Sequence, residues 1–283
     1  MVEVHATATV APGARLAEGV RIGPYAVIGP EVEIGPGAEI GAHAVIEGIT
    51  RLGAGVRVFP FATIGLPPQD VKYRGEATRV EIGPRTLIRE HATIHRGSVG
   101  GGLTRIGADC MIMCVAHVAH DCCLGDGVIV ANNVMFGGHV SVGDGAYIGG
   151  GAAVHQFVRI GRFAAVGGMS GVEGDVIPFG LVMGNRARLS GLNVVGLKRR
   201  GFSRADVAVL REAFRLIFKH RDGTFAERLS ATAKRFQDNR LVDEVVGFVR
   251  AGGKRPLCRA APETEIDLGE EIEAAEPASA SAA

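Results

Sequence analysis

The stretch Val20-Arg-Ile22-Gly-Pro-Tyr-Ala26-Val-Ile28-Gly-Pro-Glu-Val32-Glu-Ile34-Gly-Pro-Gly-Ala38-Glu-Ile40-Gly41 decides the fold. Ile22, Ile28, Ile34 and Ile40 recur every sixth residue. No helix has that period, and a plain strand has period two. Extended both ways, the aliphatic series starts at Val4, Val10 and Leu16 and runs to Val172. Of its 29 positions only Asp70, Glu76 and Gly100 break it. A second series, four residues after each aliphatic, is small or β-branched: Ala14, Val20, Ala26, Val32, Ala38, Ala44, Thr50, Val56, Ala62. Such a chain reads as a coil with flat sides and tight corners, with large aliphatics inside and small residues at the corners. Three hexapeptides make one triangular coil, and coils stack about 4.8 Å apart, as strands do in any sheet.

The rhythm is interrupted over 66–80 (LPPQDVKYRGEATRV) and again at Ser98-Val-Gly-Gly-Gly-Leu103. Long loops leaving a regular scaffold usually carry function. After Pro178 the period fades. Ser203 and Asp206 form a helix cap, followed by Val207, Leu210, Phe214 and Ile217 at helical spacing. Thr224 and Glu227 form a second capping box, and Leu241 to Val249 reads as a third helix. The division expected is a hexapeptide-repeat β-helix domain over 1–191, a helical domain over 192–257 that covers the open end of the β-helix, and a disordered acidic tail over 258–283.

Charge is unevenly spread. The formal net charge is +1, and the seven acids from Glu263 to Glu276 meet no base, so residues 1–262 carry +1 + 7 = +8. A basic body suits an acidic partner. The N-terminal residues lack the pattern of a signal peptide, and no uninterrupted apolar run is long enough for a transmembrane segment. Five Cys at irregular spacing, without a CxxC pair, read as free thiols in a reducing, cytoplasmic setting. Cys110 and Cys122 fall in the small inner slot and read as structural.

The chemistry-bearing stretch is Ala116-His117-Val118-Ala119-His120-Asp121. Val118 holds the inward slot, so His120 and Asp121 fall on a corner or the outer surface. His139 comes 19 residues after His120, close to one coil, and should sit nearly above it; His155 follows about one coil later. A neutral His can take a proton from a hydroxyl near neutral pH, and an adjacent carboxylate can fix its tautomer. Three His on one side of a β-helix also permit zinc, as in hexapeptide-repeat carbonic anhydrases, if three neutral imidazoles converge on one ion. That alternative, a zinc-dependent hydratase, leaves the long loop and the basic C-terminal segment without a role.

Several motifs resemble the UDP-N-acetylglucosamine O-acyltransferases of lipid A biosynthesis. They are Gln69-Asp70-Val71-Lys72-Tyr73, Thr78-Arg79-Val80-Glu81-Ile82-Gly83, Thr93-Ile94-His95-Arg96-Gly97, His117-Val-Ala-His120-Asp121, Gly138-His139-Val140-Ser141, Val154-His155-Gln156-Phe157 and Asn193-Val-Val-Gly-Leu-Lys198-Arg199-Arg200-Gly201-Phe202-Ser203. The resemblance spans about Val4 to Val249. It implies a left-handed parallel β-helix, a homotrimer with its active site between subunits, and transfer of a (3R)-3-hydroxyacyl chain from acyl carrier protein to the glucosamine 3-hydroxyl of UDP-N-acetylglucosamine. In that scheme His120 is the general base, Asp121 orients it, and the Gly138 N–H meets the oxyanion, where one donor is typically worth about 10²–10³ in rate. Gln69, Asp70, Lys72, His117, His139, His155 and Gln156 would line the sugar and acyl sites. Asn193, Arg199 and Arg200 would bind the nucleotide, where Arg suits bidentate phosphate contact. Gly168 and Arg186 would border the acyl-chain groove, Gly168 leaving room for a longer chain. Val195 and Arg186 depart from a well-known member, which has an acidic residue and a His there. Some relatives acylate a 3-amino analogue of the sugar nucleotide, so N-acyl transfer is the other reading. Neither a metal, another cofactor nor a nucleic acid is expected.

Overall fold

The computed structural model describes residues 1–99 and 101–262; the acidic run from Glu263 lies outside the described residues. Three sheets of 11, 9 and 8 strands, parallel except for the last strand Arg188–Leu192, wrap the chain into a three-sided, left-handed β-helix. Most strands are two residues long, one per hexapeptide, because a corner follows each aliphatic. Partners in the first coils are 18 residues apart: Glu3 pairs with Arg21, Thr9 with Val27 and Arg15 with Glu33. The aliphatic series points inward. Ile22, Ile28, Ile64, Ile94, Val118 and Ile148 are all at most 3% exposed. Each such side chain contributes about 1.5–3 kcal/mol on burial. The small series fills the corners without remainder; Ala26, Ala38, Ala62 and Cys122 are fully buried.

Outward positions stack in register too. Arg15, Glu33 and Arg51 form one alternating ladder, and Arg21, Glu39 and Arg57 another. Opposite charges facing each other across neighbouring strands favour this register over its slips.

The two interruptions leave the core in phase. Arg57 pairs with Leu87 and Thr63 with Thr93, a spacing of 30. That is one coil plus twelve residues, the length extruded between strands Thr63–Leu66 and Arg79–Ile82. Arg79 pairs with Leu103 and Thr93 with His117, a spacing of 24, or one coil plus six. Leu66 and Arg79–Val80, placed in the loop by sequence, belong to its flanking strands because they keep the ladder.

The ends differ. Val4 in the first coil is 46% exposed, since no coil covers it. At the far end Gly180–Met183 folds back antiparallel on Arg188–Leu192. Helices α1 (Val194–Arg199), α2 (Arg204–Phe214), α3 (Phe225–Arg235) and α4 (Arg240–Ala251) follow. Both expected capping boxes form, at Ser203/Asp206 and Thr224/Glu227. Helix α2 runs into a π turn over Arg215–Lys219, which a 3.6-residue periodicity does not reveal. Arg162 holds Glu244 of α4 at 2.6 Å, tying helices to coils. Placing 258–262 in a disordered tail needs correction. Leu257 bridges Asp175, Ala260 bridges Leu189, and Cys258 is 6% exposed. These residues have backbone partners and a buried thiol, which is why they stay on the body. No helix among the described residues is long and apolar enough to cross a membrane.

Candidate active site

One edge of the prism, between the second and third sheets, collects the unusual residues. Both insertions leave the coil there, and so do the turns holding His120–Asp121, Gly138–His139 and Gln156–Phe157. The exact 18-residue coil corrects the expected stacking by one position. Gly138 lies over His120, and His139 lies over Asp121, because His120 and His139 are 19 apart. Asp121 and His139 take left-handed φ values of 60° and 61°.

Asp121 organises this edge. Its side chain is 2% exposed. Its carboxylate accepts from the Ser98 N–H at 3.1 Å, from Ser98 Oγ at 2.7 Å and from His120 Nδ1 at 2.8 Å. A carboxylate only accepts, so His120 carries its hydrogen on Nδ1 and presents Nε2 as a base. The Ser98 that opens the second insertion is thus a partner of the site, which sequence did not single out. Gly138 is required by close approach: a Cβ there would lie 2.6 Å from His120 Nε2. Among the described residues no group accepts from the Gly138 N–H.

Other rings surround the pair. His139 meets His120 edge-on at 5.1 Å and stacks on Phe157 at 4.6 Å. Burial holds the His139 imidazole below its ordinary pKa, with Asp121 opposing. His117 receives or gives a hydrogen bond with Thr93 Oγ1 at 2.7 Å. It too is lowered, first by burial and then by His120. His95, 8% exposed, packs edge-on to His117 at 4.9 Å and is pushed down to about 4, mainly by burial. Its Nδ1 has no partner. His95 falls within the Thr93–Gly97 motif, whose pattern assigns it no role. Neutral rings here leave His120 as the one imidazole whose tautomer a carboxylate fixes.

The loop from the first insertion lies over this edge. Asp70 Oδ1 accepts from the Lys72 N–H at 3.0 Å. That bond, helped by His120 and Ser98, holds the Asp70 carboxyl below the usual range. Arg96 braces the loop by donating to Tyr73 Oη at 3.1 Å. Gln69 and Lys72 are exposed.

His155 and Gln156 are on the same edge, and the Nδ1 of His155 is bonded by Arg255 at 2.5 Å. Metal ligation is therefore poorly served. His120, Asp121 and His139 place ligand atoms within 4.8 Å of one another. Yet both Asp121 oxygens are already engaged, and the third imidazole a zinc site would want is held elsewhere. Cys122 beside the cluster is buried, and burial pushes its thiol up to about 12, so it is no nucleophile near neutral pH.

The remaining expected residues are not brought to His120 within one protomer. Asn193 caps α1, accepting from Gly196 N at 3.1 Å and donating to Phe163 O at 2.9 Å. Arg200 covers the Phe163 ring at 4.9 Å and donates to Gly145 O at 2.5 Å. Both lie at the corner between the third and first sheets, with exposed Arg199 beside them. Gly168 and Arg186 are exposed near the last coils, at the far end of the second sheet. The outward row leading there from His117 is Met135, Ala153 and Gly171, diminishing in size.

Known proteins resemble this chain over most of its length. Residues 13–48 and 103–138 match the family described as bacterial transferase hexapeptide (six repeats). Residues 175–258 match the second domain of UDP-N-acetylglucosamine O-acyltransferase. An acyl-[acyl-carrier-protein]–UDP-N-acetylglucosamine O-acyltransferase of Caulobacter vibrioides is 53% identical over 94% of this chain and all of its own length. A namesake from Thermodesulfovibrio yellowstonii is 47% identical over 92% of this chain and all of its own. The solved UDP-N-acetylglucosamine O-acyltransferase of Moraxella catarrhalis superposes with a TM-score of 0.87 at 38% identity, covering 90% of this chain and 99% of that one. The chain belongs to the UDP-N-acetylglucosamine O-acyltransferase family.

Proposed function

We propose that the chain transfers a (3R)-3-hydroxyacyl group from acyl carrier protein to the glucosamine 3-hydroxyl of UDP-N-acetylglucosamine, the first step of lipid A biosynthesis. The observation that carries the chemistry is His120, its Nδ1–H tied to a buried carboxylate and its Nε2 beside the Gly138 backbone. His120 Nε2 removes the hydroxyl proton as the oxygen attacks the thioester carbonyl. Asp121 holds the ring and stabilises the imidazolium that forms. The Gly138 N–H stabilises the oxyanion. The intermediate collapses, the C–S bond breaks, and the imidazolium returns the proton to the leaving thiolate. The products are the 3-O-acyl sugar nucleotide and the carrier's free thiol.

Gln69, Asp70, Lys72, His117, His139, His155 and Gln156 surround the acceptor at the edge where the insertions emerge. The acyl chain follows the row Met135, Ala153 and Gly171 toward Gly168 and Arg186. Asn193, Arg199 and Arg200 sit at a different corner from His120, so a protomer alone offers half a site. A homotrimer, in which a neighbour's α1 supplies nucleotide contacts, completes it. The basic body, +8 over 1–262, suits an acidic carrier protein. Free thiols and a carrier-bound donor fit a cytoplasmic setting.

Purified protein should be given 3-hydroxyacyl carrier proteins with either UDP-N-acetylglucosamine or its 3-amino analogue, with chelator present. Ester product from the hydroxyl acceptor, undiminished by chelator, is expected. Product from the amino analogue alone would replace this reading with N-acyl transfer, and loss of turnover with chelator would restore the metal alternative.

A further inference from the structure

We propose that Arg255 is a positioning residue for the acceptor nucleotide and acts through His155; the inference rests on the acyl-transfer reading above. The segment that delivers it crosses back from the end of α4, 100 residues away in sequence. Gly253 lies against the Arg159–Asp175 pair, whose Nε and Oδ2 are 2.7 Å apart. A Cβ at Gly253 would come within 2.5 Å of Asp175 Oδ2 and 2.6 Å of Arg159 Nε, so the backbone reaches this depth only without a side chain. On the other side, the Asp175 N–H donates to Pro256 O at 2.8 Å, and the Cys258 N–H donates to Asp175 O at 2.9 Å. Asp175 itself is 1% exposed. Lys254 and Arg255 are therefore presented between two fixed anchors.

Both cations land on the turn His155–Gln156–Phe157. Lys254 Nζ sits 4.0 Å from the centre of the Phe157 ring, which in turn stacks on His139. Arg255 Nε donates to Gln156 O at 2.9 Å, and its Nη2 lies 2.5 Å from His155 Nδ1. A guanidinium has donors only and keeps its proton. His155 Nδ1 also lies 3.5 Å from Gln156 O, too far to compete with the guanidinium at 2.5 Å, so Nδ1 accepts and the hydrogen resides on Nε2. His155 is thus set in the tautomer opposite to that of His120. One ring offers a lone pair on Nε2 and the other offers an N–H there. A fixed Nε2–H, with two cations behind it, suits an acceptor oxygen on an anionic ligand, and the sugar nucleotide's diphosphate is that kind of group. The bond from Nε to Gln156 O fixes the guanidinium, and the bond from Nη2 holds the Nδ1 lone pair of the ring inward.

The test uses the full chain carrying Arg255→Gln, Arg255→Lys, His155→Ala and the Arg255→Gln/His155→Ala pair. Arg255→Gln is expected to raise KM for UDP-N-acetylglucosamine about tenfold, the effect of one lost contact. The acyl-carrier KM and kcat should stay near wild type. Lys should recover part of the loss, since an ammonium still donates to Nδ1. In the His155→Ala background Arg255→Gln should cost nothing more, whereas a merely structural role would add its loss. An unchanged KM, or losses that add, overturns the proposal. Nitrogen-15 histidine spectra give a readout independent of turnover: wild type should show His155 with Nδ1 bare and Nε2 protonated. The reverse tautomer sinks the proposal even if Arg255→Gln does not fold. If neither acceptor turns over in wild type, the acyl-transfer reading fails on its own, and the spectra still decide the Arg255–His155 contact.

Discussion

Tyr25, His43, Phe61 and His91 stack along one corner of the coil with ring centroids 4.9–5.0 Å apart. Asp121, His139 and Phe157 stack along the next. Both columns sit in the left-handed conformation: φ is 58° at His43 and 63° at Phe61, against 60° at Asp121 and 67° at Phe157. Backbone strain and a ring ladder are therefore properties of a corner, shared by two columns of different surroundings. The difference lies in desolvation and a carboxylate. Tyr25 and Phe61 are 57% and 47% exposed, and His43 and His91 face solvent. At the other corner the insertions bury Asp121 and hold its oxygens on His120 and Ser98. What sets His120 apart, beside the second column, is a buried carboxylate that fixes its tautomer.

The largest test of that contrast is activity. His120→Ala should lower kcat by about 10²–10⁴, the usual range for a general base. His43→Ala, one corner away, should leave turnover at the wild-type level, with both variants melting as wild type does. Steady-state rates on the sugar nucleotide decide it; equal losses in the two variants would erase the distinction between the columns.

Next comes pH. His95 is buried neutral, its pKa about 4 against 6.5 for the free side chain. Between those values the unfolded chain binds more protons than the native one, so stability rises with pH across the window. Its contribution is complete above about pH 6.5 and is lost as pH falls toward 4. Urea midpoints at pH 7 and pH 5 should show the fall in wild type and a smaller one in His95→Phe. An identical fall in both would mean that another group is responsible.

The smallest effect belongs to the exposed ladder. Phe61→Ala removes two ring contacts, worth about 0.5–1.5 kcal/mol each, and should lower the denaturation midpoint without changing turnover. A loss of activity would show that this corner serves the site as well.

How much of this was legible follows from how each feature is encoded. The β-helix was, because period six holds at all but three of 29 slots and the two insertions preserve its phase. His120–Asp121 was legible as adjacent residues in an outward turn. The coil's exact register was not; it took the structure to put Gly138, rather than His139, over His120. Ser98 and His95 gain their roles from burial, which the pattern does not carry. Arg255 reaches His155 across a helical segment of unrelated periodicity, so no spacing connects them. The π turn after Phe214 breaks helical phase without any residue announcing it. Residues 258–262 read as part of a polar tail, and backbone bridges at Leu257 and Ala260 hold them on the body.

The lengths of the insertions carry one more consequence. Twelve residues at one coil and six at the next return the chain to the ladder in the phase it left. Every later coil therefore keeps its aliphatics inward whatever the loops contain. The loops can be lengthened, shortened or exchanged by whole hexapeptides while the scaffold keeps its phase, so their sequences are free to drift separately from folding.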